Sequence, residues 1–398
     1  AIMTTTQLKQ RPGTAVILIA YAAFIALGLM DGWLGVAWPS IRADFGQPLD
    51  ALGLLLLVAT SGHIVASFAN GRLLQSIGMA TLLILALGLR GGSFLTQTLT
   101  PAWWLFVGAA FAGGLGAGLL DAGMNTFAAA RFRPRLLNWL HASFAVGTTL
   151  GSLLMTGLLG LGQSWRVGLA LLAGIHLLLA AIFFGSRARW TLPRQETGDE
   201  AKTAVRGRDT LKLPMVWLSI AIFALYTGIE LGMGQWSFTL ATEARGIAET
   251  TAGLWTTLYW GSLTAGRIIL GFIETNPARL VRWVLLLTIA GAVLFALNLA
   301  AWLSLAGLMM IGFGLAPVFP ALIALTPSRI GADHAPNAIG FQVGAAGIGA
   351  AILPGLAGVL GATFTLEAIA LFFVATAVLL FLFSELADRK SKNQPAKG

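Results

Sequence analysis

Runs of about twenty apolar residues recur from one end of this chain to the other, and that feature decides what it can fold into. In hydrocarbon every backbone N–H and C=O must be satisfied within the protein, which leaves helices as the natural spanning form for such runs. At 1.5 Å per residue, about twenty residues cover the roughly 30 Å of a bilayer core. Of the 398 residues, 57% are hydrophobic and 10% charged, whereas a soluble domain carries about a quarter charged. An all-α membrane protein is expected, with little chain left over for a soluble domain.

The runs place helices near 14–36, 51–73, 80–99, 102–130, 137–161 and 166–186, then near 213–241, 251–273, 281–300, 304–325, 336–361 and 365–385. The expected fold is therefore twelve transmembrane helices in two pseudo-symmetric six-helix bundles, 14–186 and 213–385. Residues 187–212 form the one long hydrophilic linker, too polar to bury a core of its own. Residues 1–13 and 386–398 are polar ends, and with no cleavable signal pattern before it the first apolar run is expected to be a retained helix.

A net charge of +9 raises the question of nucleic acid, and the placement of the basic residues answers it. Lys9, Arg11, Arg72, Arg131, Arg133, Arg135, the linker, Arg279, Arg282, Arg329 and the tail from Arg389 fall on one side of the predicted membrane, against Arg42, Arg166 and Arg245 on the other. Lys and Arg accumulate on the cytoplasmic side, so both ends and the linker are expected there, in a cell inner membrane, with no nucleic-acid partner. The chain has no cysteine, which removes disulfides and thiol chemistry.

An offset of 199 residues superposes Asp31 on Glu230 and Asn138 on Asn337, and an offset of 200 superposes Gly71 and Gly147 on Gly271 and Gly347. Duplicated halves of this kind place a site between them, near the membrane midplane. Small residues let helices approach closely, and Gly114-x-x-x-Gly118, Gly147-x-x-x-Gly151 and Gly340-x-x-x-Gly344 read as packing faces.

The sharpest chemical signal is three carboxylates inside predicted helices: Asp31, Asp121 and Glu230. An ionised acid at the bilayer centre costs about 2.5–3.5 kcal/mol even on lenient scales, so each has a role, as a coupling acid or as half of a fixed ion pair. Arg90, within the third helix, needs a counter-charge, and Asp31 or Asp121 is its expected partner. Asn125 stands one turn from Asp121, Tyr226 and Gly234 one turn either side of Glu230, and Asn138 shares a face with His141. Converging polar groups suit hydroxylated ligands, and Trp33, Trp236, Trp255, Tyr259 and Trp260 suit the apolar faces of a pyranose. Gln342 of the eleventh helix joins this candidate lining. Trp33 and Trp38 equally suit interfacial anchoring. Among the histidines, His141 is the candidate proton or substrate contact, while His63 and His176 read as packing residues. Neither a metal site, a cofactor nor an enzyme's nucleophile set is expected. Pro317 and Pro320 should interrupt the tenth helix and Pro354 the eleventh.

Three stretches carry a family resemblance: Gly116-Ala-Gly-Leu-Leu-Asp121-Ala-Gly-Met-Asn125, Leu137-Asn138-Trp-Leu-His141, and Tyr226-Thr-Gly228-Ile-Glu230-Leu-Gly-Met-Gly234-Gln-Trp236. With the helix count and the linker, the chain resembles the fucose:proton symporter family of the major facilitator superfamily and its sodium–glucose relatives. The resemblance implies cation-coupled uptake of a monosaccharide by alternating access, with H+ or Na+ as the coupling ion, in a monomer surrounded by membrane lipid. It implies that Asp121 handles the proton and that Asp31 recognises sugar. Position and polarity, rather than the resemblance, add Asn125, Asn138, His141, Tyr226, Glu230, Trp236, Trp255, Tyr259 and Gln342 as candidate sugar contacts, and Asp31, Glu230 and Arg90 as candidate coupling residues. Arg90 has no standard role in that family. An exporter of amphipathic compounds and a non-transporting sugar sensor are the alternatives. The superfamily's charged Asp-Arg pair between helices 2 and 3 is here Gln75-Ser76, which leaves the usual cytoplasmic latch in question; Arg72 or the Glu274 region is the candidate substitute.

Overall fold

Apolar runs of this length form helices throughout the computed structural model, which describes residues 13–192, 205–270 and 275–392. Among the described residues ten helices are long and apolar enough to cross a membrane. One of these, Ala51–Leu99, holds two spans joined at Gly78, and Glu249–Leu270, richer in Thr and Trp, completes the twelve. In chain order they are α1 (Thr14–Asp44), α2 (51–77), α3 (79–99), α4 (Trp103–Arg131), α5 (Pro134–Gly160), α6 (Trp165–Gly185), α7 (Pro214–Ala244), α8 (Glu249–Leu270), α9 (Pro277–Leu297), α10 (Ala301–Ile330), α11 (Ala335–Thr363) and α12 (Glu367–Lys392). Of the linker, the described parts hold a single 3₁₀ turn, Arg187–Arg189, and a short helix, Gly207–Thr210. Lys9, Arg11, Lys202 and Glu274 lie outside the described residues.

Several helices overrun their apolar runs. α1 continues to Asp44, α7 passes through a π-helical turn to Ala244, and α12 extends to Lys392, because polar ends protrude from hydrocarbon without giving up their backbone bonds. No loop separates α2 from α3. Gly78 alone turns the chain, at φ 77°, a conformation that a Cβ would strain. In α10 the break falls at Ala316–Pro317; Pro320 sits in the first turn of the second segment, where its missing N–H has no intrahelical acceptor to lose.

The two bundles each have an ion pair joining their first and sixth helices. Arg166 Nη2 of α6 meets Asp44 Oδ2 of α1 at 3.3 Å, and Arg245 of α7 grips Glu367 of α12 through two bonds of 2.8 Å. Both positions are related by 201 residues, and the charges are exchanged between the halves. Arg245 also lies over the Phe295 ring at 4.2 Å and is only 2% exposed. Replacing Arg245 with Met should lower stability by roughly 1.5–3 kcal/mol, the range for charged hydrogen bonds. The exchanged pair Arg245→Glu with Glu367→Arg, which copies the polarity of the first half, should recover most of it; thermal unfolding in detergent reads both. Failure of the exchanged pair to recover any stability would mean that this pair does not hold α7 to α12.

The contacts between bundles are unevenly distributed along the membrane normal. The linker end is the end where α1 and α7 begin; the far end is where they finish. Among the described residues, the hydrogen bonds and ion pairs between bundles join Arg42 to Glu243, the Asp31 carbonyl to Gln235 Nε2, Ser152 to Thr257, and Thr264 to Thr149 and the Ala145 carbonyl. Gly35 abuts Gly234, and a methyl on Gly53 would come 2.8 Å from Gly355 Cα. All of these lie between the far end and the level of Ala145 and Thr264. Toward the linker end, Gly340, Gly344 and Gly347 of α11 border open space. The Gly340–Gly344 pair is therefore not a packing face, unlike Gly114–Gly118 against α2 and Gly147–Gly151 against α1. The bundles are joined at the far end and part toward the linker end. Gln75 and Ser76 are exposed there, and Ser76 spends its hydroxyl on the Leu73 carbonyl, so neither takes up the latch role.

Candidate substrate and ion site

Helical rise sorts the candidate residues into two levels. Asp31 and Glu230 stand about 13 and 14 residues from the far ends of α1 and α7, and Asp121, His141, Tyr226 and Arg267 stand about 18 or 19 residues from the far ends of α4, α5, α7 and α8. The second level is roughly 7 Å nearer the linker end and coincides with the place where the bundles part.

Glu230 is buried and fully engaged. Arg267 Nη2 donates to its Oε1 at 2.9 Å, the Tyr226 hydroxyl donates to its Oε2, and the Tyr259 hydroxyl donates to its backbone carbonyl at 2.7 Å. Helical spacing explains the Tyr226 contact, since i and i+4 share a face; Tyr259 and Arg267 arrive from α8. Arg267 is the residue that the sequence reading passed over. Its signal is the one that singles out Arg90, an arginine within a predicted membrane helix, although α8 is less apolar than the others.

Asp121 presents the opposite case. Asn125 Nδ2 donates to its Oδ1 at 2.9 Å, and among the described residues no cationic side chain lies within 4 Å of it. Both residues are half-buried. Asp31 is half-buried too, and among the described residues its carboxylate has no hydrogen-bond or ion-pair partner, although the charges of Arg90 and Glu230 act on it. Asp31 and Glu230 thus share a level without sharing a partner. Gln235, rather than Glu230, is what reaches Asp31, at its backbone carbonyl.

Arg90 does not pair with Asp31 or Asp121 as expected. Its Nε donates to His176 Nε2 at 3.1 Å, its Nη2 donates to the Leu27 carbonyl at 3.3 Å, and its guanidinium lies 5.2 Å from the centre of the Phe94 ring. Because Nε2 of His176 accepts, the proton of that neutral imidazole sits on Nδ1 and is donated to the Leu172 carbonyl at 2.8 Å. His176 is therefore a satisfied packing histidine, and Arg90 is buried rather than extended to an interface.

The aromatic candidates are more enclosed than a stacking platform requires. Trp236 is fully buried, with its indole N–H on the Pro354 carbonyl at 2.9 Å, so it ties α7 to α11 at Pro354, which lies inside one continuous helix rather than interrupting it as expected. Trp255, Tyr259 and Trp260 are buried as well, and Trp260 lies against Gly234. Trp33 and Trp38 are fully buried inside the protein, which rules them out as interfacial anchors. Gln342 is buried between Ser219, to which it donates, and Thr326, whose hydroxyl donates to Gln342 Oε1 at 3.0 Å. In this conformation these side chains set helix packing. His141 is exposed and meets the Phe24 ring edge-on at 5.9 Å, and the charge of Asp121 reaches it. The side chain of Asn138 lies outside the described residues; its repeat-mate Asn337 holds the linker, donating to the Val205 carbonyl at 2.7 Å.

Twelve membrane helices in two bundles, joined at one end and parting toward the other, with ionisable groups held inside the membrane helices, define a polytopic membrane transport protein. The chain belongs to the Major Facilitator Superfamily, whose sequence pattern matches residues 20–342 and 237–398. It is 22% identical to the human sodium-dependent glucose transporter 1 over 94% of this chain and 82% of that protein. It is 21% identical to the glucose/mannose transporter of Bacillus subtilis over 79% of each. Its fold matches the crystal structure of the Escherichia coli fucose:proton symporter with a TM-score of 0.64 at 16% identity, covering 95% of this chain and 99% of that one. The superfamily resemblance drawn from the helix count, the linker and the two halves is thus borne out.

Proposed function

We propose that the protein imports a hexose such as glucose or fucose together with a proton, by alternating access, with the linker end in the cytoplasm. The observation that carries this reading is the contrast among the acids. Glu230 has a guanidinium and a phenol on its carboxylate, whereas Asp121 has a neutral amide and stands where the bundles part. A carboxylate without a fixed counter-charge in an apolar surrounding takes up a proton at less cost than one held by a guanidinium. Among the described residues Asp31 and Asp121 both lack such a cation, and of the two Asp121 is the one at the level where the bundles part. Asp31, Asn125 and Asn138 are the sugar contacts of this reading, and the names of the human and Bacillus relatives support a hexose. On this reading the far-end contacts correspond to an inward-open state, and the basic residues along the linker end support its cytoplasmic placement.

Sodium is the second coupling ion to weigh, because the human relative is named as sodium-dependent. Purified protein in liposomes tests both. Radiolabelled glucose and fucose should accumulate when the lumen is more alkaline than the medium, and should do so equally in sodium and in choline. Accumulation that disappears in choline transfers the coupling to sodium. Efflux of a lipophilic cation with no hexose movement would replace the reading by export.

A further inference from the structure

Helix geometry places a cation of the C-terminal half beside the candidate site, in a position that its carboxylate partner does not use up. Thr264 of α8 donates to the Ala145 carbonyl of α5 at 2.9 Å and lies 3.0 Å from the Thr149 hydroxyl, so α5 and α8 touch at that level. α5 runs away from the linker end and α8 toward it. His141, four residues before Ala145, and Arg267, three residues after Thr264, are therefore each one turn nearer the linker end, on the faces that the two helices turn to each other. The adjacent Ile268 and Ile269 are exposed on the outside of α8, which leaves Arg267 on the inner face.

Arg267 is not consumed by Glu230. One nitrogen donates to the carboxylate, the Tyr226 hydroxyl is close by, and 23% of the side chain stays accessible. A guanidinium carries five N–H donors in a fixed planar fork. Glu230 Oε1 takes one, and its other oxygen is already served by Tyr226. His141, across from it, is exposed and makes no hydrogen bond among the described residues.

Resting on the hexose reading above, we propose that Arg267 is a substrate-binding residue, that it forms with His141 a two-sided clamp on hydroxyl oxygens of the sugar, and that Glu230 is the positioning residue that aims it. This assigns the C-terminal half its polar contact and removes Glu230 from the proton path. It also gives a reason for an ion pair at this depth: the carboxylate fixes the fork, so that its remaining donors converge on the space between the bundles. Each half supplies one wall of the clamp, so sugar binding bridges helices that part when the linker end opens.

The competing explanation is that Arg267 only neutralises Glu230, and a double substitution separates the two. Counterflow of radiolabelled glucose and fucose is measured in liposomes for the parent protein, Arg267→Lys, Arg267→Gln and Arg267→Gln with Glu230→Gln. The double variant has no buried charge left unpaired, so its thermal midpoint should stay near that of the parent. The proposal expects its KM for the transported hexose to rise about tenfold or more, as sites built to hydrogen-bond a hydroxyl lose affinity when the donor goes. Arg267→Lys, which keeps the charge and loses the fork, should show a raised KM with the maximal rate largely kept. A set of singly deoxygenated glucoses adds a readout that a structural role would not move: at least one should be discriminated by the parent and not by the double variant. A double variant with the parental KM and the parental discrimination overturns the clamp while leaving hexose transport intact. A parent protein that moves neither glucose nor fucose overturns the hexose reading, and the clamp with it.

Discussion

Asp121→Asn should abolish accumulation of hexose driven by a pH gradient while leaving counterflow within about threefold of the parent. The substitution is close to isosteric, and the carbonyl of an asparagine accepts the Asn125 amide hydrogen as the carboxylate does at 2.9 Å. What changes is the ability to gain and lose a proton at a site with no fixed cation. With one proton moved per sugar, each pH unit across the membrane is worth about 1.4 kcal/mol, a tenfold accumulation at equilibrium. An uncoupled carrier brings that ratio to about one, however fast it exchanges sugar. Liposomes loaded with unlabelled hexose measure exchange, and the same liposomes under a pH step measure accumulation. Continued accumulation in Asp121→Asn would take the proton away from Asp121. Loss of exchange along with accumulation would make Asp121 a sugar contact instead.

How much of this was legible in the sequence depends on which physical signal a residue carries. Helix number, the two bundles and the superfamily follow from apolar length and from the linker between the halves, because hydrocarbon leaves a segment of twenty apolar residues few alternatives. Asp31, Asp121, Glu230 and Arg90 stood out because a charge is costly in that solvent wherever it points. Partners were not legible. Arg90 finds a histidine and a carbonyl contributed by α6 and α1, and nothing in the sequence places His176 beside it rather than Asp31. Burial of Trp236 and Gln342 was equally hidden, since a cavity-lining helix and a packed one have the same composition along an apolar stretch. Arg267 was detectable by the rule already applied to Arg90. The exchanged ion pairs Asp44–Arg166 and Arg245–Glu367 are not legible as a repeat because residues of like charge mark a duplication in sequence, whereas here duplication kept the contact and reversed its polarity.

Gly35→Trp should open the far end and stop net uptake. Gly35 of α1 lies against the Gly234 carbonyl of α7, with no room for a side chain between the two backbones. Overpacking a close contact costs about 1–3 kcal/mol for added methylenes, and an indole against backbone lies at or beyond the upper end. What resists separation is modest. The Arg42–Glu243 pair at the far end is 25% and 30% exposed, in the class of ion pairs worth about 0–1 kcal/mol. The Thr and Ser contacts of α5 with α8 exchange for water as the gap opens. A bias of roughly 3 kcal/mol multiplies the open-to-closed ratio by more than a hundred, enough to invert an equilibrium that favours the closed far end by less than that. The chain contains no cysteine, so a single introduced thiol reports accessibility without background labelling. Thr156→Cys, buried against Gly253 on the far-end side, should react with a membrane-impermeant maleimide in the Gly35→Trp background and stay protected without it. Gly344→Cys, which borders open space toward the linker end, should change in the opposite sense. Gly35→Ala should fall between parent and Trp, because a methyl demands a smaller separation. If the thiol of Thr156→Cys stays protected in a folded Gly35→Trp protein, the α1–α7 contact does not govern the far end, and the gate has to be sought at the Gly53–Gly355 approach of α2 and α11.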